Sequence, residues 1–274
     1  MKILVTGAKG MLGRDLCPML EDNDYEVIET DIETLDITNE LQVTQVLKNE
    51  MPDYVIHCAA YTNVDKAEED FSTAEKINSR GTENLAKACN ANNIVLIYIS
   101  TDYVFDGKKQ TPYLPNDKTN PINNYGLTKL HGEEAVKKYC NKYYIARTSW
   151  LYGHHGKNFV ETMISLKDKP ELKVVDDQTG CPTWTVDLSD AIISLIEEEP
   201  DYGIYHTCGG GHTTWYGFAK EIFNMSGLEV NLIPCATKEF PRPAKRPVCS
   251  IMDNNGLLRN WKLALKDYIE LRID

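Results

Sequence analysis

The sequence predicts an α/β protein, a Rossmann-type doubly wound parallel sheet with a smaller C-terminal substrate-binding cap. Three observations carry this. Apolar runs of strand length alternate with helix-length amphipathic segments through the first half of the chain. The first run ends in a glycine turn, Gly7-Ala8-Lys9-Gly10-Met11-Leu12-Gly13. Far downstream, Tyr125-Gly126-Leu127-Thr128-Lys129 can hold a tyrosine and a lysine on one helical face. Alternation of strands and helices implies a parallel sheet covered on both faces, and right-handed crossovers make it doubly wound.

Residues 2–6 (KILVT) read as a buried strand and 11–20 as a short helix. Residues 25–30 form a second strand with Asp31 just past its end. Residues 40–49 are helical in pattern, and 54–58 (YVIHC) are a third strand. A long helical stretch covers residues 70–90, and 94–99 (IVLIYI) is a strong fourth strand. A helix at 125–139 and a fifth strand at 143–147 follow. Beyond Trp150 the rhythm loosens: a helix at 187–199, a strand at 203–208 and a helix at 213–225. The proline-rich residues 241–247 cannot be regular helix. The expected division is a dinucleotide-binding domain at 1–152, to which 184–208 returns, and a cap made of 153–183 and 209–274.

Composition narrows the function. The chain has 29 basic and 41 acidic residues, a formal charge of -12. That argues against a nucleic-acid or anionic-membrane surface. An anionic ligand must therefore be held by backbone N–H groups and a few local cations. Eight cysteines are scattered without a CxxC pair or zinc-like spacing, which fits a reducing cytoplasm. The N-terminus enters a strand pattern at once, with no signal-peptide pattern. No apolar run approaches the ~20 residues of a membrane span.

In the glycine turn, Gly7 allows a tight turn, Gly10 lets the backbone approach a phosphate, and Gly13 allows close helix packing. The following helix offers free N–H groups and partial positive charge. Asp31 stands near the ~20-residue spacing of a ribose-binding acid. A carboxylate there favours NADH, whereas Lys9 and Arg14 nearby could accommodate the 2′-phosphate of NADPH. Lys129 could lower the Tyr125 pKa from its usual value of about 10, so that Tyr125 gives a proton to a carbonyl oxygen as hydride arrives. The same spacing recurs at Tyr216 and Lys220; only Tyr125 follows the fourth strand, on the ligand side of such a sheet. Ser100-Thr101-Asp102-Tyr103 ends that strand and supplies hydroxyls for a substrate carbonyl. His154-His155 and Asp176-Asp177 show no metal spacing, and no catalytic metal is expected.

These residues resemble an extended short-chain dehydrogenase/reductase: Thr6-Gly7-x-x-Gly10-x-x-Gly13, the run 57–62 (HCAAYT), Asn78, and the Thr101, Tyr125, Lys129 set. More narrowly, the chain is similar to the dTDP-4-dehydrorhamnose reductase family along nearly its whole length. The narrow evidence is the ordered series 59–68 (AAYTNVDKAE), 100–107 (STDYVFDG), 147–153 (RTSWLYG), 177–183 (DQTGCPT) and Arg242-Pro243 through Arg246-Pro247-x-x-Ser250. The resemblance implies reduction of the C4 ketone of dTDP-4-dehydro-L-rhamnose by NADH or NADPH. It implies Tyr125 as acid, Lys129 as its tuner and ribose ligand, and Thr101 as the group orienting the ketone. Implied cofactor contacts are Gly7, Gly10, Met11, Leu12, Gly13, Asp31, Asp36, Ile37, Ala59, Ala60, Tyr61, Asn78 and Ser100, besides Tyr125 and Lys129. Implied substrate contacts are Thr62, Val64, Thr101, Tyr103, Tyr125, Trp150, Asn158 and Arg246. Arg246 would meet the diphosphate, since a guanidinium suits phosphate geometry; its alternative is a surface-turn cation.

Some members of the family use a metal held by acids at a dimer contact. Here Asp15 survives after Gly13, while Asp187 and Asp190 fall in a helix, so neither that metal nor that dimer is expected. The chain is read as a monomer or homodimer. Two other readings share the fold: another nucleotide-sugar reductase or 4-epimerase, and a non-catalytic chain resembling the regulatory subunit of methionine adenosyltransferase.

Overall fold

The computed structural model describes residues 1–272. Six strands form one sheet: β1 (Lys2–Thr6), β2 (Glu26–Thr30), β3 (Tyr54–His57), β4 (Val95–Thr101), β5 (Tyr143–Thr148) and β6 (Gly203–His206). Their order is β6-β5-β4-β3-β1-β2, and every pairing is parallel. Side chains alternate along each strand. Ile3 and Val5 face one core with Leu12, Leu16 and Leu20 of α1 (Met11–Asp22). Leu4 and Val55 face the other, with Val43 and Leu47 of α2 (Glu40–Glu50) and Leu85 and Cys89 of α3 (Thr82–Ala91). Helix α4 (Asn124–Tyr139) shares this second face.

The strand order reverses at β1, whose neighbours β2 and β3 lie on opposite sides. In open α/β sheets ligands bind beyond the carboxyl ends of the strands at such a point. The residues ending β1, β2, β3, β4 and β5 therefore converge on one edge.

The second half divides between the sheet and a separate cluster. Strand β5 is followed by α5 (Phe159–Ser165) and then by α6 (Thr185–Glu198), whose Leu188, Ile192 and Ile196 join the core under α1. Strand β6 extends the sheet beyond β5. Helices α7 (Trp215–Met225) and α8 (Trp261–Glu270) pack Phe218, Ile222, Trp261 and Leu265 against Tyr152 and Val160.

Three details depart from the sequence reading. The expected long helix at 70–90 is interrupted: Phe71–Glu75 and α3 flank a π-helical turn at Lys76–Gly81. Helices α5 and α8 were not expected, because each is short and lies among irregular segments. Residues Thr213–Thr214 form a short strand before α7, and the Thr214 hydroxyl caps that helix by accepting from Gly217 N–H. All eight cysteines are free thiols. Among the described residues no helix is long and apolar enough to cross a membrane, and no group of three metal-ligating side chains occurs.

Candidate active site

A cavity of about 780 Å³ opens along the carboxyl edge of the sheet. Its first wall is the turn after β1. Gly7 has φ +69°, and a Cβ there would lie 2.7 Å from the Ala59 nitrogen. A Cβ on Gly13 would lie 2.5 Å from the Ala8 carbonyl oxygen. Both glycines are thus required by close backbone packing rather than by flexibility. Gly10 is the N-cap of α1 and supplies no side chain to its amides. Gly10, Met11 and Leu12 line the cavity, so the first-turn donors and the helix dipole face it. This donor set fits a pyrophosphate.

Asp31, beyond β2, also lines the cavity. Its carboxylate accepts from Lys9 N–H at 3.0 Å and Ile32 N–H at 2.8 Å. The Lys9 ammonium pairs with Glu33 at 3.0 Å, and Arg14 donates to the Lys9 carbonyl. Both cations near Asp31 are therefore engaged. Asp36 and Ile37 continue this wall; Asp36 accepts from the Thr38 amide and hydroxyl.

Beyond β3, Ala59, Ala60, Thr62 and Val64 line the cavity, whereas Tyr61 and Asn78 do not. Asn78 instead clamps the loop. It accepts from Tyr61 N–H at 2.8 Å, donates to the Tyr61 carbonyl at 3.1 Å, and donates to Thr128 in α4 at 3.0 Å. The π turn sets Asn78 where it reaches both, a use such turns commonly serve. Tyr61 and Asn78 thus hold the wall rather than form it.

Thr101, Tyr103, Tyr125 and Lys129 meet on the same cavity. Asn123 caps α4 by accepting from Gly126 N–H, which fixes the first turn carrying Tyr125. The Thr101 hydroxyl donates to Asp102 at 3.0 Å and accepts from Tyr103 N–H at 3.2 Å. The Tyr103 and Tyr125 rings pack edge to face, 5.8 Å between centroids. The Lys129 ammonium donates to the Ile99 carbonyl at 2.7 Å and sits 4.1 Å over the Tyr98 ring. Burial lowers its pKa to about 7, against the opposing pull of Glu133. Ser100 lines the cavity, but its hydroxyl donates to Glu133 at 2.6 Å. The Glu133 carboxylate is clamped by Arg147, at 2.8 and 2.7 Å.

One expectation is corrected here. Burial, reinforced by Asp102, raises the Tyr125 pKa, and only the Thr101 hydroxyl opposes it. Lys129 donates its hydrogen bond to the Ile99 carbonyl, and it is not among the groups that shift the phenol. In the ligand-free protein the pair shares a face without sharing a proton.

Trp150 lies on the wall in a left-handed conformation, φ 46°. Its indole stacks on Trp215 at 3.5 Å, and Gly180 packs beneath it, where any Cβ would collide with the ring. Asn158 and Arg246, both expected at the substrate, do not line the cavity. Asn158 is the N-cap of α5, accepting from Glu161 N–H and donating to the Gly153 carbonyl. Arg246 forms a bidentate pair with Asp65, at 2.7 and 2.9 Å. In the ligand-free protein the first is engaged in a helix cap and the second in an ion pair, with Tyr103 of the cavity wall beside the guanidinium.

A family model described as "RmlD substrate binding domain" matches residues 1–271. A dTDP-4-dehydrorhamnose reductase from Streptomyces griseus is 41% identical, covering 96% of this chain and 91% of the relative. The chain belongs to the dTDP-4-dehydrorhamnose reductase family. The crystal structure of such a reductase from Clostridium acetobutylicum superposes with TM-score 0.96 at 49% identity, covering 99% of both chains. Another, from Bacillus anthracis in complex with NADP, gives TM-score 0.95 at 42% identity, again covering 99% of both. This family assignment makes the chain an enzyme. Against it, the sequence reading had missed Trp215 and Lys157, which also line the cavity. Neither sits in a motif; an aromatic at a helix start gives no local sign that a cavity lies beside it.

Proposed function

We propose that this chain reduces the C4 ketone of dTDP-4-dehydro-L-rhamnose to dTDP-L-rhamnose, with NADPH or NADH as donor. The observation that carries the reading is one cavity lined by both the glycine turn and the Thr101, Tyr125, Lys129 set. When bound, the nicotinamide supplies the hydride. The glycine turn and the α1 N-terminus would hold its pyrophosphate, and Asp31 its adenosine ribose. Thr101 orients the ketone. Tyr125, kept protonated by its burial, donates to the carbonyl oxygen. Lys129 stabilises the phenolate left behind and binds the nicotinamide ribose once ligands draw it from the Ile99 carbonyl. Trp150 and Trp215 offer flat apolar surface to the sugar nucleotide.

The test is oxidation of NADPH and of NADH on adding enzymatically prepared dTDP-4-dehydro-L-rhamnose to the purified protein. Stoichiometric oxidation with dTDP-L-rhamnose as product is expected. Cofactor binding without oxidation overturns this reading and favours another sugar nucleotide or a non-catalytic role.

A further inference from the structure

The buried hydroxyls on the cavity wall belong to Ser100, Thr101, Thr148 and Ser149. All but one are engaged within the protein. Ser100 donates to Glu133, Thr101 to Asp102, and Ser149 to the Cys181 carbonyl. Thr148, the last residue of β5, is the exception. It is 7% exposed, and its Oγ1 has no hydrogen-bond partner among the described residues. A buried hydroxyl without a partner costs stability that valine, of the same shape, would not. A hydroxyl kept at that cost on the wall of a cavity points to a ligand that satisfies it.

Its place in the sheet says which ligand. Thr148 is in register with Thr101 of β4, one strand spacing of about 4.8 Å away. Side chains alternate along a strand. Arg147 turns to Glu133 of α4, so Thr148 falls on the opposite face, the one covered by α1. Along the carboxyl edge the strands run β2, β1, β3, β4, β5. The wall follows the same order: Asp31 after β2, the glycine turn after β1, Ala59 after β3, Thr101 at the end of β4 with Lys129 beside it, and Thr148 at the end of β5. The earlier reading gives the adenosine ribose to Asp31, the pyrophosphate to the glycine turn and the second ribose to Lys129. One part of the dinucleotide is then left, the nicotinamide, and the next strand is β5. The polar group on that ring is a carboxamide, which both donates and accepts. A threonine hydroxyl can answer it in either sense.

We propose that the Thr148 hydroxyl holds the carboxamide of the nicotinamide, as a cofactor contact at the opposite end of the cavity from Asp31. The proposal rests on the reading of this cavity as a nicotinamide-dinucleotide site. It does not depend on which sugar nucleotide is reduced.

The experiment compares wild type, Thr148→Val and Thr148→Ser without any sugar substrate, by calorimetric titration and by urea unfolding. Thr148→Val should weaken NADPH and NADH alike by about 3–10-fold, the worth of one hydrogen bond. 2′-Phospho-ADP-ribose and ADP-ribose are the same dinucleotides without the nicotinamide. Their affinities should stay within about twofold of wild type, because the lost bond is not theirs. Thr148→Ser keeps the hydroxyl and should bind cofactors and fragments as wild type does. In the ligand-free state Thr148→Val should unfold at or above the wild-type urea midpoint, since no internal partner is lost. A residue that only held the fold would give the opposite result, a lower midpoint with fragments and cofactors weakened together.

Unchanged NADPH affinity in Thr148→Val overturns the proposal, and so does an equal loss for cofactor and fragment. A lower midpoint or loss of folding in Thr148→Val overturns it too, because the hydroxyl would then have a partner inside the protein. A raised KM for the sugar nucleotide at unchanged NADPH affinity overturns it by giving the hydroxyl to the sugar. Wild type that binds neither NADPH nor NADH overturns the cofactor reading and this proposal together. Wild type that binds them but leaves dTDP-4-dehydro-L-rhamnose unreduced overturns the choice of substrate alone, and the titrations still decide the role of Thr148.

Discussion

Two helices carry the same tyrosine–lysine spacing, and they differ in nearly everything else. Tyr125 and Lys129 lie in the first turns of α4, beside the end of β4 and on the cavity. Lys129 is 2% exposed and bonded to a strand carbonyl. Tyr216 lies in α7, half-buried at the margin of the C-terminal cluster, and Lys220 points into solvent. Spacing puts two side chains on one helical face and does no more. What makes a pair chemically useful is the place where that face is docked. At the carboxyl edge of a parallel sheet a lysine is stripped of water and its pKa falls; on a peripheral helix the side chain stays in solvent.

The sharpest way to break this comparison is to remove each phenol oxygen in turn. Tyr125→Phe should lower kcat by about 10²–10⁴-fold, the usual worth of a general acid, with NADPH affinity nearly unchanged. Activity retained in Tyr125→Phe would move the proton source elsewhere.

Next in size is the charge state of the buried lysine. The unfolded chain holds a proton on Lys129 up to about pH 10.5, while the folded protein gives it up above about pH 7. Between those values the unfolded state binds more protons, so this residue adds stability as pH rises. Lys129→Met removes that dependence. Relative to wild type, the variant should gain roughly 1 kcal/mol per pH unit as pH falls through that window, read from urea unfolding of the ligand-free proteins. Parallel curves would mean that Lys129 stays charged in the folded protein.

A glycine of α1, on the cavity side, and one of α7 sharpen the contrast further. Gly13→Ala drives a methyl against backbone, whereas at Gly217 the nearest atom, also 2.5 Å away, is the Thr213 hydroxyl oxygen. We expect about 1–3 kcal/mol lost in Gly13→Ala, the usual cost of overpacking, and weaker NADPH binding. Gly217→Ala should cost less, because a side-chain rotation relieves it; equal losses in thermal unfolding would refute the distinction.

Asn158→Ala should cost about 1 kcal/mol, the worth of a helix cap, with KM for the sugar nucleotide changed less than about threefold. A large KM change at unaltered stability would return Asn158 to the substrate. Smallest of all, Tyr216→Phe should leave kcat within about twofold of wild type.

The site elements legible in the sequence were those written in contiguous residues. Strands β1 to β5, the turn at Gly7 to Gly13 and the α4 pair all announce themselves through local pattern. Arg246 did not. Its partner Asp65 lies 181 residues away, and no local pattern distinguishes a guanidinium awaiting phosphate from one already holding a carboxylate. The cap at Asn158 was hidden for a related reason: asparagine is as apt for a helix cap as for a ligand, and α5 itself was too short to foresee. The π turn at Lys76–Gly81 reads as plain helix because one extra residue in a turn hardly disturbs apolar periodicity. The fate of the Lys129 proton was hidden as well, since it depends on a carbonyl presented by another element.

The stacked indoles of Trp150 and Trp215 give the protein a built-in optical gauge. The chain has four tryptophans; Trp184 and Trp261 are locked in the interior, while the stacked pair forms part of the cavity wall. A guest that slides against that wall must change the coupling, polarity or separation of the two rings. Intrinsic emission therefore has a silent half and a responsive half. Loading of the cavity can be titrated by light alone, in the wild-type chain and in variants that no longer turn over.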